Sequence, residues 1–192
     1  MRFLPNWHVD CVCDHLEAVT RGDIRNLLIN IPPGHAKSVL VSVMWPAWVW
    51  TFWPEWRTLT SSYDLSLTTR DASKARDIMT DNWYAETFDP AWRFKGDQNA
   101  KTFYKNTRAG FRFCHTVAGR GTGHRGDAIV CDDPLNAKDR HSEKKRASAI
   151  DWWDKTMPTR LNDPRTGAKV VIMQRLHEED LSGHILQLGG YQ

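Results

Sequence analysis

A lysine and a serine stand side by side at the end of the segment IPPGHAKS, residues 31–38. This segment lies between an apolar run, LLINI at residues 27–31, and a stretch typical of a helix at residues 38–50. A phosphate-binding loop needs inward-facing backbone N–H groups, a lysine for the β and γ phosphates, and a hydroxyl for Mg²⁺. Lys37 and Ser38 supply the last two groups, and the helix that begins there adds its dipole. The pattern predicts a nucleotide-phosphate site, although Ile31 and Ala36 stand where the consensus has glycine.

Two aspartates follow a second apolar run, AIVC at residues 128–131, about 95 residues after Lys37. A buried strand that ends in two acids is what a Walker B element requires. We expect Asp132 to hold the Mg²⁺ shell and Asp133 to orient or deprotonate the attacking water. Acids after a strand are also common in ordinary loops, so this prediction depends on its combination with Lys37.

A third apolar run, VVIM at residues 170–173, ends in the polar pair Gln174 and Arg175. Gln174 suits a sensor that touches the γ-phosphate and couples hydrolysis to motion. The alternative is the capped start of a helix at residues 178–188, where acids favour the helix dipole.

The elements that must position these residues alternate along the chain. Periodicity predicts helices at residues 9–20, 38–50, 65–79, 142–157 and 178–188, and strands at 27–31, 58–62, 128–131 and 168–173. Two alternating runs, KTFYK and GFRFCH, flank residues 106–109 and predict a β-hairpin. Strands that alternate with helices predict an α/β domain with a mainly parallel central sheet.

The positive charge of the chain is concentrated in two stretches. Residues 93–125 carry eight Lys or Arg against one acid, and residues 138–175 carry ten against five. Such stretches indicate a phosphate-facing surface, or else a solvated basic face. Five of the ten tryptophans lie at residues 45–56, which favours core packing over a base-stacking platform. No apolar run of 18 residues and no signal-peptide pattern occurs, so we expect a cytoplasmic protein.

In combination, the motifs resemble the N-terminal ATPase domain of the large terminase subunit of tailed bacteriophages. The resemblance runs over nearly the whole chain and is carried by NWHVD, LLINIPPGHAKS, SSYDLSL, TGHRGDAIVCDDP and VVIMQRLHEEDLSGHI. It implies a P-loop NTPase fold of the additional-strand, catalytic-glutamate type, with a mainly parallel sheet, flanking helices and a small β-hairpin excursion. It also implies that ATP and Mg²⁺ drive double-stranded viral DNA into a procapsid.

The resemblance further implies the partners and organisation of the chain. The expected partners are double-stranded DNA, the viral portal protein, the small terminase subunit and further copies of the chain in a ring, in the host cytoplasm. We expect residues 1–192 to be a single ATPase domain without the family's C-terminal nuclease, monomeric and slow when isolated.

The resemblance also assigns individual residues. The nucleotide is expected to contact Trp7, which would stack on adenine, His8, which would read the base edge, and the loop Pro33, Gly34, His35, Ala36, Lys37, Ser38 and Val39. Ser38 and Asp132 are the expected metal ligands. The chain departs from the family where Gly34 replaces a frequent arginine and where Asp133 replaces the usual glutamate.

The arginine missing from the loop needs a replacement, and Arg120 and Arg125 precede the strand that ends at the two aspartates. We favour Arg125 as an arginine finger, in the same or a neighbouring subunit, on the expectation that it lies nearer that strand end. DNA contact and a solvated loop are the competing interpretations.

Two other classes of function remain open at this point. The first is a P-loop enzyme of another kind, such as a kinase or a helicase-like remodeller. A kinase would need an arginine-rich lid, and a two-domain helicase would need a second P-loop-like domain. The second is a nucleotide-sensing assembly module with little turnover.

Overall fold

The computed structural model describes residues 6–117, 119 and 123–192, and the fold over this part of the chain is a central sheet covered by helices. Arg120 lies outside the described residues. The strands are β1 (Asn26–Asn30), β2 (Arg57–Ser62), β3 (Phe94–Asn99), β4 (Phe103–Asn106), β5 (Phe111–Thr116), β6 (Ala128–Asp132) and β7 (Ala168–Met173).

The strands form one sheet with the order β1-β7-β6-β2-β5-β4-β3. The first five strands in this order pair in parallel, whereas β4 and β3 are added in antiparallel pairing. The predicted hairpin is present as β4 and β5. The last strand in the sequence, β7, lies between β1 and β6, so the loops after these three strands emerge at one edge.

The helices are α1 (Trp7–Arg21), a π-helical segment (Val39–Met44) that continues into α2 (Trp45–Val49), α3 (Leu65–Thr80), α4 (Asn82–Phe88), α5 (Glu143–Lys155) and α6 (Leu181–Leu188). Short 3₁₀ turns occur at Ala137–Asp139 and Met157–Arg160. None of the helices in the described part of the chain is long and apolar enough to cross a membrane.

Two separate apolar cores hold the helices on the two faces of the sheet. The first contains side chains of α1, the π-helical segment, α2, α3 and α4, and the second contains side chains of α5 and α6. A strand buried on both faces reads as a continuous apolar run, and β6 is buried at all five positions. The structure is thus the mixed α/β fold that the sequence predicts, with a mostly parallel sheet flanked by helices.

The tryptophan-rich segment contributes to the first core. Trp45, Trp50 and Trp56 are buried, and the Trp50 indole donates a hydrogen bond to the Trp56 carbonyl over 3.0 Å. Trp45 donates to the Thr20 hydroxyl of α1 over 2.9 Å. Because buried indoles need a partner for their N–H, these bonds fix the segment against its neighbours, as the packing interpretation predicts.

Candidate functional site

The carboxyl ends of β1, β7, β6 and β2 meet at one edge of the sheet, where a cavity of about 310 Å³ opens. Seven of the residues that the sequence singled out line this cavity: Pro33, Gly34, Lys37, Ser38, Asp132, Asp133 and Gln174. The three motifs, which are far apart in the chain, therefore form one site.

The loop between β1 and the following helix contains two residues with left-handed backbone conformation, Gly34 at φ 83° and Ala36 at φ 58°. The carbonyl of Ala36 accepts a hydrogen bond from the Leu40 N–H over 2.9 Å, so the helix begins directly after it. Ala36 therefore adopts a conformation suited to the glycine that the consensus has there. An alanine in this region costs roughly 1–2 kcal/mol.

Lys37 lies in the first helical turn after the loop and is only 8% exposed. Its ammonium nitrogen Nζ lies 2.9 Å from the carboxylate oxygen Oδ2 of Asp133. The lysine that is expected to bind phosphate and the aspartate that is expected to act as general base are thus an ion pair at the wall of the cavity.

Asp133 is held in place by both neighbouring strands. Its own backbone is left-handed, at φ 45°, which aspartate tolerates better than most residues. Its N–H donates to the Ile172 carbonyl of β7 over 2.9 Å, and its carbonyl accepts from the Tyr63 N–H over 3.1 Å. The Gln174 backbone N–H donates to its carboxylate oxygen Oδ1 over 3.2 Å. It is the backbone of Gln174 that contacts the carboxylate, while Gln174 itself also lines the cavity.

Asp132 ends β6 and is buried. The Ser42 hydroxyl donates to its oxygen Oδ2 over 3.0 Å, while Oδ1 is buried and makes no hydrogen bond to any described residue. Burial raises the pKa of Asp132 to about 6, an effect that Ser38, Ser42 and Lys37 oppose. A buried carboxylate oxygen without a donor is a position that a hard cation fits.

The described residues include no cluster of three or more His, Cys, Asp or Glu side chains that could hold a metal ion. A Mg²⁺ ion bound together with a nucleotide does not need such a cluster, because phosphate and water oxygens complete its shell. One carboxylate and one hydroxyl, Asp132 and Ser38, are a donor set of the right chemistry.

Arg112 of β5 is a cavity residue that the sequence interpretation missed, because it was counted with the phosphate-facing or solvated basic stretch. It is only 1% exposed, and its nitrogen Nη1 donates to the Ser42 carbonyl over 2.6 Å. Pro46 has no N–H, so the carbonyl four residues earlier loses its α-helical donor. Arg112 replaces that donor and thereby holds Ser42, whose hydroxyl binds Asp132.

Several other Lys and Arg side chains of the two basic stretches form ion pairs within the chain. Arg108 pairs with Glu55, Lys145 with Asp139, and Arg165 with Asp163. The buried Arg146 pairs with Glu179. A surface that faces DNA therefore stays a prediction, carried by fewer free cations than the sequence count suggests.

A second cavity of about 240 Å³ lies beside the phosphate loop, between the start of α1 and the outer edge of β1. Trp7 and His8 line it. The His8 ring lies 5.7 Å from the ring of His35 in the phosphate loop, edge to face, and Trp7 is 76% exposed. Trp7 is accessible to a planar ligand, and the adenine contacts expected of Trp7 and His8 stay a prediction.

The expectation that Arg125 lies nearer than Arg120 to the carboxyl end of β6 stays a prediction, because Arg120 lies outside the described residues, but Arg125 itself is not close to that end. Arg125 is exposed and precedes Gly126, whose N–H donates to the Arg160 carbonyl, and Asp127, whose N–H donates to the Arg57 carbonyl at the start of β2. It therefore lies at the amino edge of the sheet, and the five residues of β6, at about 3.3 Å each, separate it from Asp132. A finger role towards the same chain's cavity does not fit, whereas a role in a neighbouring subunit stays a prediction.

Comparisons with known proteins show similarity to solved structures only. No protein-family model matches the chain, and no curated protein matches it. Among solved structures, the chain is similar to the large terminase of a thermophilic bacteriophage in complex with ADP, at 11% identity and a TM-score of 0.45. A second crystal form of that terminase gives 9% identity and a TM-score of 0.46. Both matches cover 83% of this chain and 37% or 38% of the terminase, so the chain spans little more than a third of that protein.

Proposed function

We propose that the protein binds Mg·ATP at the carboxyl edge of the sheet and hydrolyses the bond between the β and γ phosphates. The observation that carries the proposal is the convergence of Lys37, Asp132 and Asp133 on one cavity beside a loop with left-handed residues at 34 and 36. Each of the three residue types has a place in phosphoryl transfer: a cation for the phosphates, a metal ligand and a base.

In the proposed mechanism, the phosphates lie against the backbone N–H groups at the start of the helix after the loop. Ser38 and Asp132 would hold Mg²⁺, which when bound neutralises charge on the phosphate oxygens. Lys37 leaves Asp133 and binds the phosphates. The freed Asp133 carboxylate accepts a proton from the attacking water, and Gln174, beside it, senses the γ-phosphate.

We further propose that the hydrolysis drives double-stranded DNA into a viral procapsid, in an assembly of several copies on a portal. This finer proposal is supported by the sequence motifs shared with large terminase ATPase domains. The position of β7 between the phosphate-loop strand β1 and the acidic strand β6 supports it too, because that family has an additional strand there. Asp133 would stand in the role of the catalytic glutamate.

The proposal is tested by measuring binding of ADP and ATP to the purified protein and phosphate release with and without duplex DNA, each at several Mg²⁺ concentrations. We expect Mg²⁺-dependent binding and turnover that DNA stimulates. Nucleotide binding without turnover in every condition would instead support a nucleotide-sensing module. The pairing of Lys37 with Asp133 and the short side chain of Asp133 also favour that function. A protein that binds neither nucleotide would contradict both functions.

A further inference from the structure

An arginine on α3 contributes to the wall of the nucleotide cavity. Arg70 and the next residue, Asp71, both line it, although they belong to none of the three motifs. The Arg70 nitrogen Nε lies 2.8 Å from the Asp71 oxygen Oδ1, and Nη2 lies 3.0 Å from Oδ2. This is a bidentate pair, which fixes the plane of a guanidinium as well as its position.

The burial of the two partners is unequal. Asp71 is buried, whereas the Arg70 side chain is 51% exposed. Burying a carboxylate costs folding free energy unless it is paired with a cation. The pairing with Arg70 therefore stabilises the buried Asp71 and favours this geometry. The third nitrogen of the guanidinium, Nη1, makes no hydrogen bond with the part of the chain that the structure describes. Asp71 thus holds the Arg70 guanidinium in one orientation and leaves its Nη1 able to donate a hydrogen bond to a ligand.

Arg70 lies among other charged side chains in the wall of the cavity. Three cations and three acids line it: Lys37, Arg70, Arg112, Asp71, Asp132 and Asp133. Asp71 raises the pKa of Arg70 most strongly by hydrogen bonding, and the charge of Asp132 raises it further through space. Arg70 and the expected metal ligand Asp132 line the same cavity. An anion bound next to Asp132 and Lys37 lies within the field of Arg70.

The loop itself offers no arginine, since residues 31–38 contain none. Arg125 cannot supply the charge within the same chain, because it lies at the opposite edge of the sheet. Arg112 is buried, and its Nε and Nη1 donate to the Thr60 hydroxyl and the Ser42 carbonyl, which leaves only a buried Nη2 without a partner among the described residues. Arg70 is the half-exposed arginine of this cavity.

We propose that Arg70 is a catalytic residue that binds the γ-phosphoryl group from the same chain, held in orientation by Asp71 as a positioning residue. This inference rests on the proposed ATP hydrolysis. The water oxygen forms a bond to the γ-phosphorus while the bond from that phosphorus to the β–γ bridging oxygen breaks. The water proton passes to Asp133, and ADP leaves with the electron pair of the broken bond. Arg70 stabilises the charge on the γ-phosphoryl oxygens during the transfer.

The test compares Arg70→Gln, Arg70→Lys and Asp71→Asn with Arg76→Gln as a control on the same helix. Arg76 donates to Asn99 and is not among the cavity residues. We expect Arg70→Gln to lower kcat by about 10³-fold, the lower end for an arginine that stabilises this transition state. Affinity for ADP should change less than about threefold, because ADP has no γ-phosphate. Arg70→Lys should restore only part of the rate, since lysine lacks the planar fork.

Asp71→Asn should lower kcat less than Arg70→Gln does, and the double variant should be no slower than Arg70→Gln alone, because residues that act together are not additive. The inference is overturned if Arg70→Gln turns over within about threefold of the unmodified protein. It is also overturned if ADP affinity falls in parallel with kcat, or if duplex DNA affinity falls instead. If the unmodified protein binds ADP and hydrolyses ATP but Arg70→Gln has no effect, this inference alone is contradicted. If the unmodified protein does not bind nucleotide, the proposed function is contradicted as well.

Discussion

Lys37 Nζ and Asp133 Oδ2 lie 2.9 Å apart, so the residue expected to bind phosphate holds the residue expected to activate water. Both side chains are largely shielded from solvent, at 10% and 22% exposure, and a shielded pair is weakened less by salt than a surface pair. While the Lys37 ammonium contacts Oδ2 of Asp133, it occupies the place that a water molecule would need next to that oxygen. In the proposed mechanism, a phosphate that attracts Lys37 therefore both anchors the nucleotide and releases the Asp133 carboxylate.

The first prediction concerns Lys37. Lys37→Ala should abolish hydrolysis and sharply weaken ATP binding, because the ammonium that neutralises the phosphates is lost. Binding can be measured by calorimetry and turnover by phosphate release. Lys144→Ala is the matched control, since Lys144 is exposed on α5, which packs on the other face of the sheet. Wild-type turnover in Lys37→Ala would show that the loop does not bind phosphate.

The second prediction separates the two aspartates. Asp133→Asn should still bind Mg·ATP but lose turnover by roughly 10²–10⁴-fold, the usual contribution of a general base. Asparagine also tolerates the left-handed backbone at this position. Asp132→Asn should raise the Mg²⁺ concentration needed for half-maximal rate, because an anionic ligand is lost. Turnover titrated with Mg²⁺ for both variants distinguishes the roles, and the reverse pattern would exchange them.

The sequence predicted the central part of this fold well, because β2, β6 and β7 are buried on both faces. β1, β2, β6 and β7 each lie within one residue of their predicted ends, and Gly22 ends α1 in the left-handed conformation that a glycine favours. The last helix begins at Leu181 rather than residue 178, because the Asp180 side chain accepts a hydrogen bond from the Gly183 N–H and so caps it. The acids before it therefore lie in a loop.

The elements that the sequence interpretation missed have weaker local signals. β3 carries polar and charged residues at four of its six positions and pairs irregularly with β4. The π-helical register at Val39–Met44 was not predicted, because the spacing of apolar residues does not distinguish hydrogen bonds five residues apart from those four residues apart. In the site, Lys37 and Asp132 were predicted from motifs, whereas Arg70, Asp71 and Arg112 became visible only when α3 and β5 were placed against the cavity.

The third prediction concerns the backbone of the phosphate loop. Ala36→Gly should raise the free energy of unfolding by about 0.5 kcal/mol, because relief of the left-handed strain exceeds the added entropy of glycine in the unfolded chain. Gly34→Ala should lower it by about 1 kcal/mol, and since a Cβ at Gly34 would meet nothing within 4 Å, the cost is one of backbone alone. Urea denaturation measures both changes. Equal stability of Ala36→Gly and Gly34→Ala would contradict the loop conformation.

The fourth prediction uses His115, which is buried against Phe113 and Trp152. Burial lowers its pKa from the ordinary 6.5, and the charge of Arg160 lowers it further, while the Thr116 carbonyl opposes both. Because the folded state favours neutral His115, this stabilisation is complete above about pH 6.5 and is lost as the pH falls through the lower folded pKa.

The measurement is the free energy of unfolding at pH 7.5 and pH 5. His115→Phe keeps the aromatic packing without the titration, so the loss of stability on acidification should be smaller in this variant than in the unmodified protein. His141→Gln, at an exposed histidine, should leave the loss unchanged. An unaltered loss in His115→Phe would show that His115 titrates normally in the folded protein.

The last prediction concerns Arg125, which lies at the amino edge of the sheet and is exposed. From this position it does not reach a nucleotide bound in the cavity of its own chain, but it is accessible to the cavity of a neighbouring subunit. Arg125→Ala should therefore leave the slow turnover of dilute monomers unchanged and lower only the stimulated turnover of assembled copies, by about 10³-fold or more if it is a finger. Arg70→Gln, by contrast, should lower turnover at every protein concentration. Mixing Arg125→Ala with Lys37→Ala decides the matter: a Lys37→Ala neighbour supplies the arginine to an intact cavity, so activity should return as the two variants associate. If mixtures that demonstrably associate stay inactive, Arg125 does not act between subunits, and a weaker salt dependence of DNA binding in Arg125→Ala would assign it to a phosphate of DNA instead.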